Sequence, residues 1–368
     1  MVIPTSKPTV DEEMEEEVIR ALREEFFVGG ESVKKFEEEF AEYIGVDYAI
    51  AVSSGTDALV IALRALDIMG EVVTTPMSFV ATAESIVLAG ARPAFADIKE
   101  DTWNINPDEI RKIITDETRA IMPVHLYGLP AEMEEIMEIA EDKDLYVIED
   151  CAQAHGAEYD GKKVGSIGYI GCYSFYSTKN MTVAGNGGMM VTNDEKVAEL
   201  SKLLREHGGG NYSKYIGYNA RMNTINAAFG RVQLKRLDRW IKRRREIAKL
   251  YYKELKDLKE IKLPVINDQH VYHLFVIEAE RRDELRDYLR NKEIFCGIHY
   301  PVPIHLLDPY KEYATQSYPN AEYHAKTALS LPMYPDLKND DVKKVIKKLE
   351  TFMVSENENR SNRCRLLG

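Results

Sequence analysis

The sequence predicts an α/β protein with a mostly parallel central sheet flanked by helices and a smaller C-terminal α+β domain. Three observations predict it. Short apolar runs alternate with amphipathic helices between Tyr48 and Glu149, the order that sets parallel strands side by side beneath crossover helices. Ala120-Ile121-Met122 and Tyr146-Val147-Ile148 are continuously apolar, as strands covered on both faces must be. Beyond a long helical stretch over 224–258, basic from Lys235 to Lys249, the order becomes strand, helix, strand, helix.

The elements follow in chain order. An acidic helix is expected over 11–25, then a Gly29-Gly30 break, then a helix over 32–43 with Val33, Phe36, Phe40 and Tyr43 on one face. Strands are expected at 48–52, 72–75, 93–96, 120–124 and 145–149, with helices at 57–66, 78–88, 107–114 and 133–142 between them. A glycine-rich segment from Gly156 to Gly188 carries two strands, 172–176 and 189–192. The C-terminal part reads as strand 272–277, helix 282–290, strand 297–300 and helix 340–352, with a frayed tail over 355–368. A chain of 368 residues is about two or three domains' worth. The expected division falls in the long basic helix, with a large domain over 1–245 and a small one over 246–368.

Composition narrows the function. Lys and Arg number 48 against 61 Asp and Glu, a formal net charge of −13. That disfavours nucleic acid as a partner, because phosphate backbones need a positive surface. Four spaced cysteines (Cys151, Cys172, Cys296 and Cys364) form no C-x-x-C pair, so no disulfide framework and no metal site are expected. No stretch approaches 18 uninterrupted apolar residues, and residues 1–8 lack a basic-then-apolar leader. A cytoplasmic protein is expected.

Three features fall where an α/β sheet places its ligand, outside the carboxyl ends of the strands. Ser53-Ser54-Gly55-Thr56-Asp57 follows a strand and opens a helix. It reads either as an anion cradle of glycine backbone and helix N–H groups or as a plain capped turn. Asp150 ends a buried strand, with Gln153 and His155 close behind. A buried acid calls for a cation, either a protonated cofactor ring nitrogen or a salt-bridge partner; adjacent Glu149 points the other way by strand alternation. Ser174-Phe175-Tyr176-Ser177-Thr178-Lys179-Asn180 precedes Gly185-Asn186-Gly187-Gly188. Its lysine is either solvated surface or an amine tuned for Schiff-base chemistry. Together the three fit pyridoxal phosphate, which needs an anion cradle, a carboxylate for its ring nitrogen and a lysine.

With these residues in place, the chain resembles the DegT/StrS-type nucleotide-sugar aminotransferases of fold type I, from about Pro4 to Phe352. The stations that carry the resemblance include Ser54-Gly55-Thr56-Asp57-Ala58-Leu59, Pro123-Val124-His125-Leu126-Tyr127-Gly128 and Ala152-Gln153-Ala154-His155-Gly156. Ser174 to Asn180, Tyr218-Asn219…Arg221 and His299-Tyr300-Pro301…His305 continue the series.

The resemblance implies Lys179 as Schiff-base lysine and proton shuttle and Asp150 as partner of the pyridine nitrogen. It places Gln153 against the ring oxygen and Phe79 on the ring face. Gly55, Thr56 and Ser174 would hold the phosphate, and Asn219 would reach the phosphate of a neighbouring subunit, which implies a homodimer with shared active sites. Arg221, His299, Tyr300 and His305 are implied substrate contacts. The implied activity moves an amino group from an amino acid, L-glutamate by analogy, to a keto-sugar nucleotide in amino-sugar or surface-polysaccharide biosynthesis. Gly185-Asn186-Gly187-Gly188 departs from a common Gly-Glu-Gly-Gly, and Asn223 and Asn226 stand where acidic and Gln residues are common; these departures bear on the sugar. A sugar dehydratase on the same scaffold would carry histidine in place of Lys179. A non-catalytic cofactor-binding regulatory protein would not need Asp150, Gln153 and Lys179 together.

Overall fold

The computed structural model describes residues 2–367, with side chains through residue 354. The expectation for the tail 355–368 falls outside the residues whose side chains are described. Two helices come first, α1 (Glu12–Glu24) and α2 (Glu31–Ile44). Asp11 caps α1 by accepting from the Met14 N–H, and Gly45 ends α2 at φ +84°, a left-handed conformation that suits glycine.

The chain then enters β1 (Tyr48–Val52), α3 (Gly55–Ala65), β2 (Glu71–Thr74), α4 (Ala81–Ala89), β3 (Arg92–Phe95), α5 (Pro107–Ile113), β4 (Thr118–Met122), α6 (Met133–Lys143) and β5 (Tyr146–Asp150). A small hairpin, β6 (Glu158–Tyr159) with β7 (Lys162–Lys163), precedes β8 (Ile170–Ser174) and β9 (Gly188–Thr192). Next come α7 (Glu195–Arg205) and the 32-residue α8 (Thr224–Leu255).

Seven strands form the central sheet in the order β1-β9-β8-β5-β4-β2-β3. All neighbours are parallel except around β9, which runs against both β1 and β8. Alternation along each strand feeds two cores. Ile50, Val52, Val72, Met122, Ile148 and Met190 face α3, α4 and α7. Ala49, Ala51, Tyr173, Met189 and Val191 face α2 and the first half of α8. Phe36, Phe40, Tyr173 and Phe175 stack within that second core at centroid distances of 5.0–5.9 Å. Each such ring contributes about 1.5–3 kcal/mol by leaving water.

From Ile247 onward α8 packs into a third core. That core belongs to β10 (Ile261–Lys262), β11 (Phe275–Ala279), α9 (Arg282–Arg290), β12 (Ala328–Leu331) and α11 (Asn339–Leu367), while α10 (Pro319–Thr327) packs Ala321 and Ala325 into a separate core with Phe95, Trp103 and Tyr127. β10, β11 and β12 form an antiparallel sheet.

Two expectations need correction. Residues 297–300 are not a strand: only Gly297 bridges Ser330, and the chain turns away to bring His299 and Tyr300 to the sheet edge. The strand expected at 272–277 starts later, at Phe275, because Tyr272 takes φ +47°. Helices α7 and α10 and strand β12 were not anticipated. Their apolar residues are spaced for partners far along the chain, Val197 and Leu204 against the β1 face and Leu329 and Leu331 against β11.

Glu149 does point away from Asp150. Its carboxylate is buried and accepts from the N–H groups of Gly165, Ile167 and Gly168 at 2.6–2.9 Å, and it meets His125 Nε2 at 3.0 Å. It pins the loop that leads into β8.

Candidate active site

Because β1, β2, β4, β5 and β8 all run one way, their carboxyl ends meet along one edge, and β9 begins there. Each chemistry-bearing segment leaves from this edge. Ser54 caps α3 by accepting from the Asp57 N–H at 3.0 Å. The Asp57 carboxylate in turn accepts from the Ser54 hydroxyl at 2.7 Å. The Gly55 and Thr56 N–H groups lie in the first turn, free of intrahelical partners. A Cβ on Gly55 would stand 2.6 Å from the Ser174 Cβ, so only glycine lets these two strand ends close.

Asp150 is buried at the end of β5. It accepts from Thr82 Oγ1 at 2.8 Å and from the Ala152 N–H at 3.1 Å. Burial raises its pKa, against the pull of these two bonds and of the Lys179 charge. Lys179 sits on a turn closed by its own N–H to the Tyr176 carbonyl at 2.8 Å. Burial pulls its amine down to about 8, while Asp150 works the other way. The site thus holds an amine that loses its proton far more readily than an ordinary lysine and a carboxylate that bonds no cation among the described residues.

Gln153 is fixed from two sides. Its Oε1 accepts from the Tyr127 N–H at 2.8 Å and its Nε2 donates to the Tyr300 hydroxyl at 3.1 Å. The Tyr127 hydroxyl donates to the His299 carbonyl, so one tyrosine ties the large sheet to the loop that carries His299 and Tyr300. Phe79, 53% exposed, stands 5.9 Å from the Tyr300 ring. Gln153, His299, Tyr300 and Phe79 line one cavity of about 550 Å³ together with Gly55, Thr56, Ser174 and Lys179.

Of the residues named from the sequence, the structure brings Gly55, Thr56, Phe79, Asp150, Gln153, Ser174, Lys179, His299 and Tyr300 to this cavity. Three lie elsewhere in the chain. Asn219 is exposed and accepts from Arg221 at 2.6 Å, and Arg221 also pairs with Glu206 at 2.8 Å. His305 is buried 4.5 Å from the Tyr318 ring and meets Glu322 at 3.4 Å. Sequence reasoning missed Thr82, Ser78, Asn186 and His273, which also line the cavity. Neither Thr82, in the first turn of α4, nor His273, in the loop before β11, carried a signal in the sequence.

Sheet, strand-end cavity and the amine–carboxylate pair define an α/β enzyme of the aminotransferase class. The chain belongs to the DegT/DnrJ/EryC1/StrS aminotransferase family, whose model matches residues 8–350. It is 40% identical to the dTDP-3-amino-3,4,6-trideoxy-alpha-D-glucose transaminase of Streptomyces venezuelae, covering 89% of each chain. A pleiotropic regulatory protein of Geobacillus stearothermophilus is 41% identical, covering 93% of this chain and 95% of its own. The crystal structure of S. venezuelae DesV superposes with a TM-score of 0.90 at 38% identity, covering 93% of this chain and 94% of that one. No helix among the described residues is long and apolar enough to cross a membrane.

Proposed function

We propose that this chain transfers an amino group from L-glutamate to a keto-sugar nucleotide, with pyridoxal 5'-phosphate as cofactor. The observation that carries this reading is the shared cavity of Lys179 and Asp150: an amine lowered by burial and a buried carboxylate that bonds no cation among the described residues. The residues present fit the cofactor: Asp150 is a buried carboxylate that bonds no cation among the described residues, and Gly55 packs tightly enough on Ser174 to bring the first turn of α3 and the end of β8 to one cavity.

When bound, the cofactor supplies an electron sink for the carbanion at the amino-bearing carbon. Asp150 would hold the ring nitrogen in its protonated form. Gly55, Thr56 and Ser174 would receive the phosphate, Phe79 would cover the ring face, and Gln153 would present its Nε2 donor to the ring oxygen. Lys179 would bind the cofactor covalently and, once free, carry a proton between the donor carbon and the cofactor. General acid–base assistance of this kind is worth about 10²–10⁴-fold. His299 and Tyr300 would face the sugar.

A homodimer would complete the site, with Asn219 and Arg221 meeting the partner's cavity. Support comes from the exposed position of Asn219, the half-buried Arg221 beside it, and uncovered Phe26 and Ile216, 85% and 88% exposed. His305, held by the Tyr318 ring and Glu322 outside the cavity lining, would support the substrate end without touching the reacting groups. The division into a large and a small domain near residue 245 is supported by the change of core along α8. Buried thiols at Cys151 and Cys172 fit a cytoplasmic setting. The intact set of Asp150, Gln153 and Lys179 favours turnover over a purely regulatory role.

The test is a panel of 3-keto and 4-keto nucleotide sugars incubated with glutamate, with mass spectrometry for the aminated sugar and an assay for 2-oxoglutarate. Formation of both supports the reading. Absence of both across the panel, with cofactor bound, removes it.

A further inference from the structure

A buried chain of polar groups runs from the small sheet to the cavity. Its members are Glu278 on β11, His324 on α10 and Tyr127 in the loop after β4, all buried and none of them lining the cavity. His324 Nδ1 meets Glu278 Oε1 at 2.6 Å, and His324 Nε2 meets the Tyr127 hydroxyl at 2.9 Å. The same hydroxyl bonds the carbonyl of His299, which does line the cavity. The His324 ring stacks on Trp103 at 4.6 Å, and the Trp103 indole N–H donates to the same Glu278 oxygen at 3.0 Å.

The protons along this chain can be placed one by one. A carbonyl only accepts, so the single hydroxyl proton of Tyr127 goes to His299. The bond between Tyr127 and His324 then needs an N–H on Nε2. Glu278 is ionised: burial works to raise its pKa, but the bond and charge of His324 and the charge of Lys262 hold it below the usual carboxylate range. A carboxylate only accepts, so Nδ1 must carry a proton as well. All three bonds close together only when the His324 ring holds both protons. A neutral ring with its proton on Nδ1 would make Nε2 an acceptor. It would draw the Tyr127 proton to itself and leave the His299 carbonyl without this donor. Burial lowers the His324 pKa, with Lys262 pushing the same way and Glu278 opposing both, so the second proton leaves below the ordinary histidine value of about 6.5. The other charged groups nearby are already engaged. Lys262 lies 3.4 Å from the far Glu278 oxygen, Arg282 donates to the Ala325 and Ala328 carbonyls, and Tyr323 donates to Glu280 at 2.7 Å.

We propose that His324 is a positioning residue whose second proton gates the bond from Tyr127 to the His299 carbonyl. With both protons on the ring the bond is closed, as in this structure, and the segment of His299 and Tyr300 is held at the cavity. With one proton the bond opens and that segment is released from Tyr127. The consequence for a substrate rests on the reading of the cavity given above. The link between the His324 proton and the His299 carbonyl does not.

Full-length protein with ¹³C- and ¹⁵N-labelled histidine reads both ends of this chain in one magnetic-resonance sample. The His324 ring nitrogens, assigned by their loss in His324→Gln, report the second proton. The His299 carbonyl carbon, assigned by its loss in His299→Asn, reports the bond it accepts. Between about pH 5 and 8, where histidines titrate, the two signals should move together with one midpoint, and the carbonyl should lose its hydrogen-bond shift on the alkaline side. In Tyr127→Phe the His299 transition should vanish while His324 still titrates. In Glu278→Gln the His324 midpoint should fall by about one pH unit or more, the effect of losing an opposite charge at bonding distance. A His299 carbonyl that stays still while His324 titrates overturns the proposal. So does a His299 transition that survives in Tyr127→Phe, or a His324 ring that does not titrate over this range. None of these readings needs cofactor or substrate. Failure of pyridoxal 5'-phosphate to bind would therefore count against the enzyme reading and leave the proton link decided separately.

Discussion

Thr82 donates its hydroxyl hydrogen bond to the Asp150 carboxylate at 2.8 Å, across 68 residues of sequence. Thr82 lies in the first turn of α4, after β2, and Asp150 ends β5. The bond helps keep Asp150 ionised in a place where burial opposes charge. Removing the hydroxyl in Thr82→Val should weaken cofactor binding about 10-fold or more, as hydrogen bonds to charged groups are worth about 1.5–3 kcal/mol. A titration with pyridoxal 5'-phosphate, read by absorbance, measures this. An unchanged affinity would show that the carboxylate does not depend on Thr82.

Asp150→Asn should separate activity from stability. The folded-state pKa of Asp150 is raised by burial, so the folded chain binds this proton more tightly than the unfolded chain. Stability is therefore lost as pH climbs from the ordinary aspartate value, about 3.9, through the folded value. A neutral amide avoids that loss. The variant without cofactor should melt about 1–2 °C higher at pH 7, while turnover falls at least 10²-fold or so. A lower melting temperature with normal turnover would contradict both statements.

Lys179 should set the pH dependence of cofactor capture. Its amine attacks only when deprotonated, and burial brings it down to about 8. The rate of covalent uptake should rise through pH 8 and level off above it. A midpoint above about 10, the range of an ordinary lysine, would refute the lowered value. Lys179→Ala should lose the visible band of covalently held cofactor altogether. Survival of the band would move the assignment to another lysine.

Glu149 should matter for folding and not for chemistry. Its carboxylate serves three backbone N–H groups and His125. Glu149→Ala leaves those donors buried and unpaired, at about 1–3 kcal/mol each. We expect at least about 3 kcal/mol of lost stability in denaturant unfolding. A loss below about 1 kcal/mol would mean that water replaces the carboxylate without penalty.

The proposed shared-site dimer makes a complementation prediction. Lys179→Ala and Asn219→Ala should each be poorly active alone. Mixed and refolded together, half of the dimers are heterodimers with one intact site of two, so about a quarter of wild-type activity should return. No recovery would place Asn219 outside the partner's cavity.

Much of the site is legible in the chain because it sits at strand ends. Buried parallel strands are short and continuously apolar, so the first polar residue after each one marks the sheet edge. That rule marks Ser53 to Asp57 and Asp150, while the role of Ser174 came from the resemblance. It missed Thr82 and His273, which reach the cavity from a helix and a loop and have no local periodicity to mark them. The strand expected over 297–300 also fails, since only Gly297 pairs, with Ser330. The Tyr127 hydroxyl and Gln153 hold that segment as a turn instead.

The sequence by itself determined the α/β architecture, the direction of most of the sheet, and the opposed orientation of Glu149 and Asp150, because these depend on local apolar periodicity and on alternation along a strand. Only the tertiary structure decided which strand ends adjoin, that β9 reverses direction between β1 and β8, and that Tyr127 joins the ring of His324 to the carbonyl of His299. Those depend on contacts between residues far apart in the chain, where neither propensity nor spacing acts, and where the closing of one hydrogen bond fixes the proton on the next.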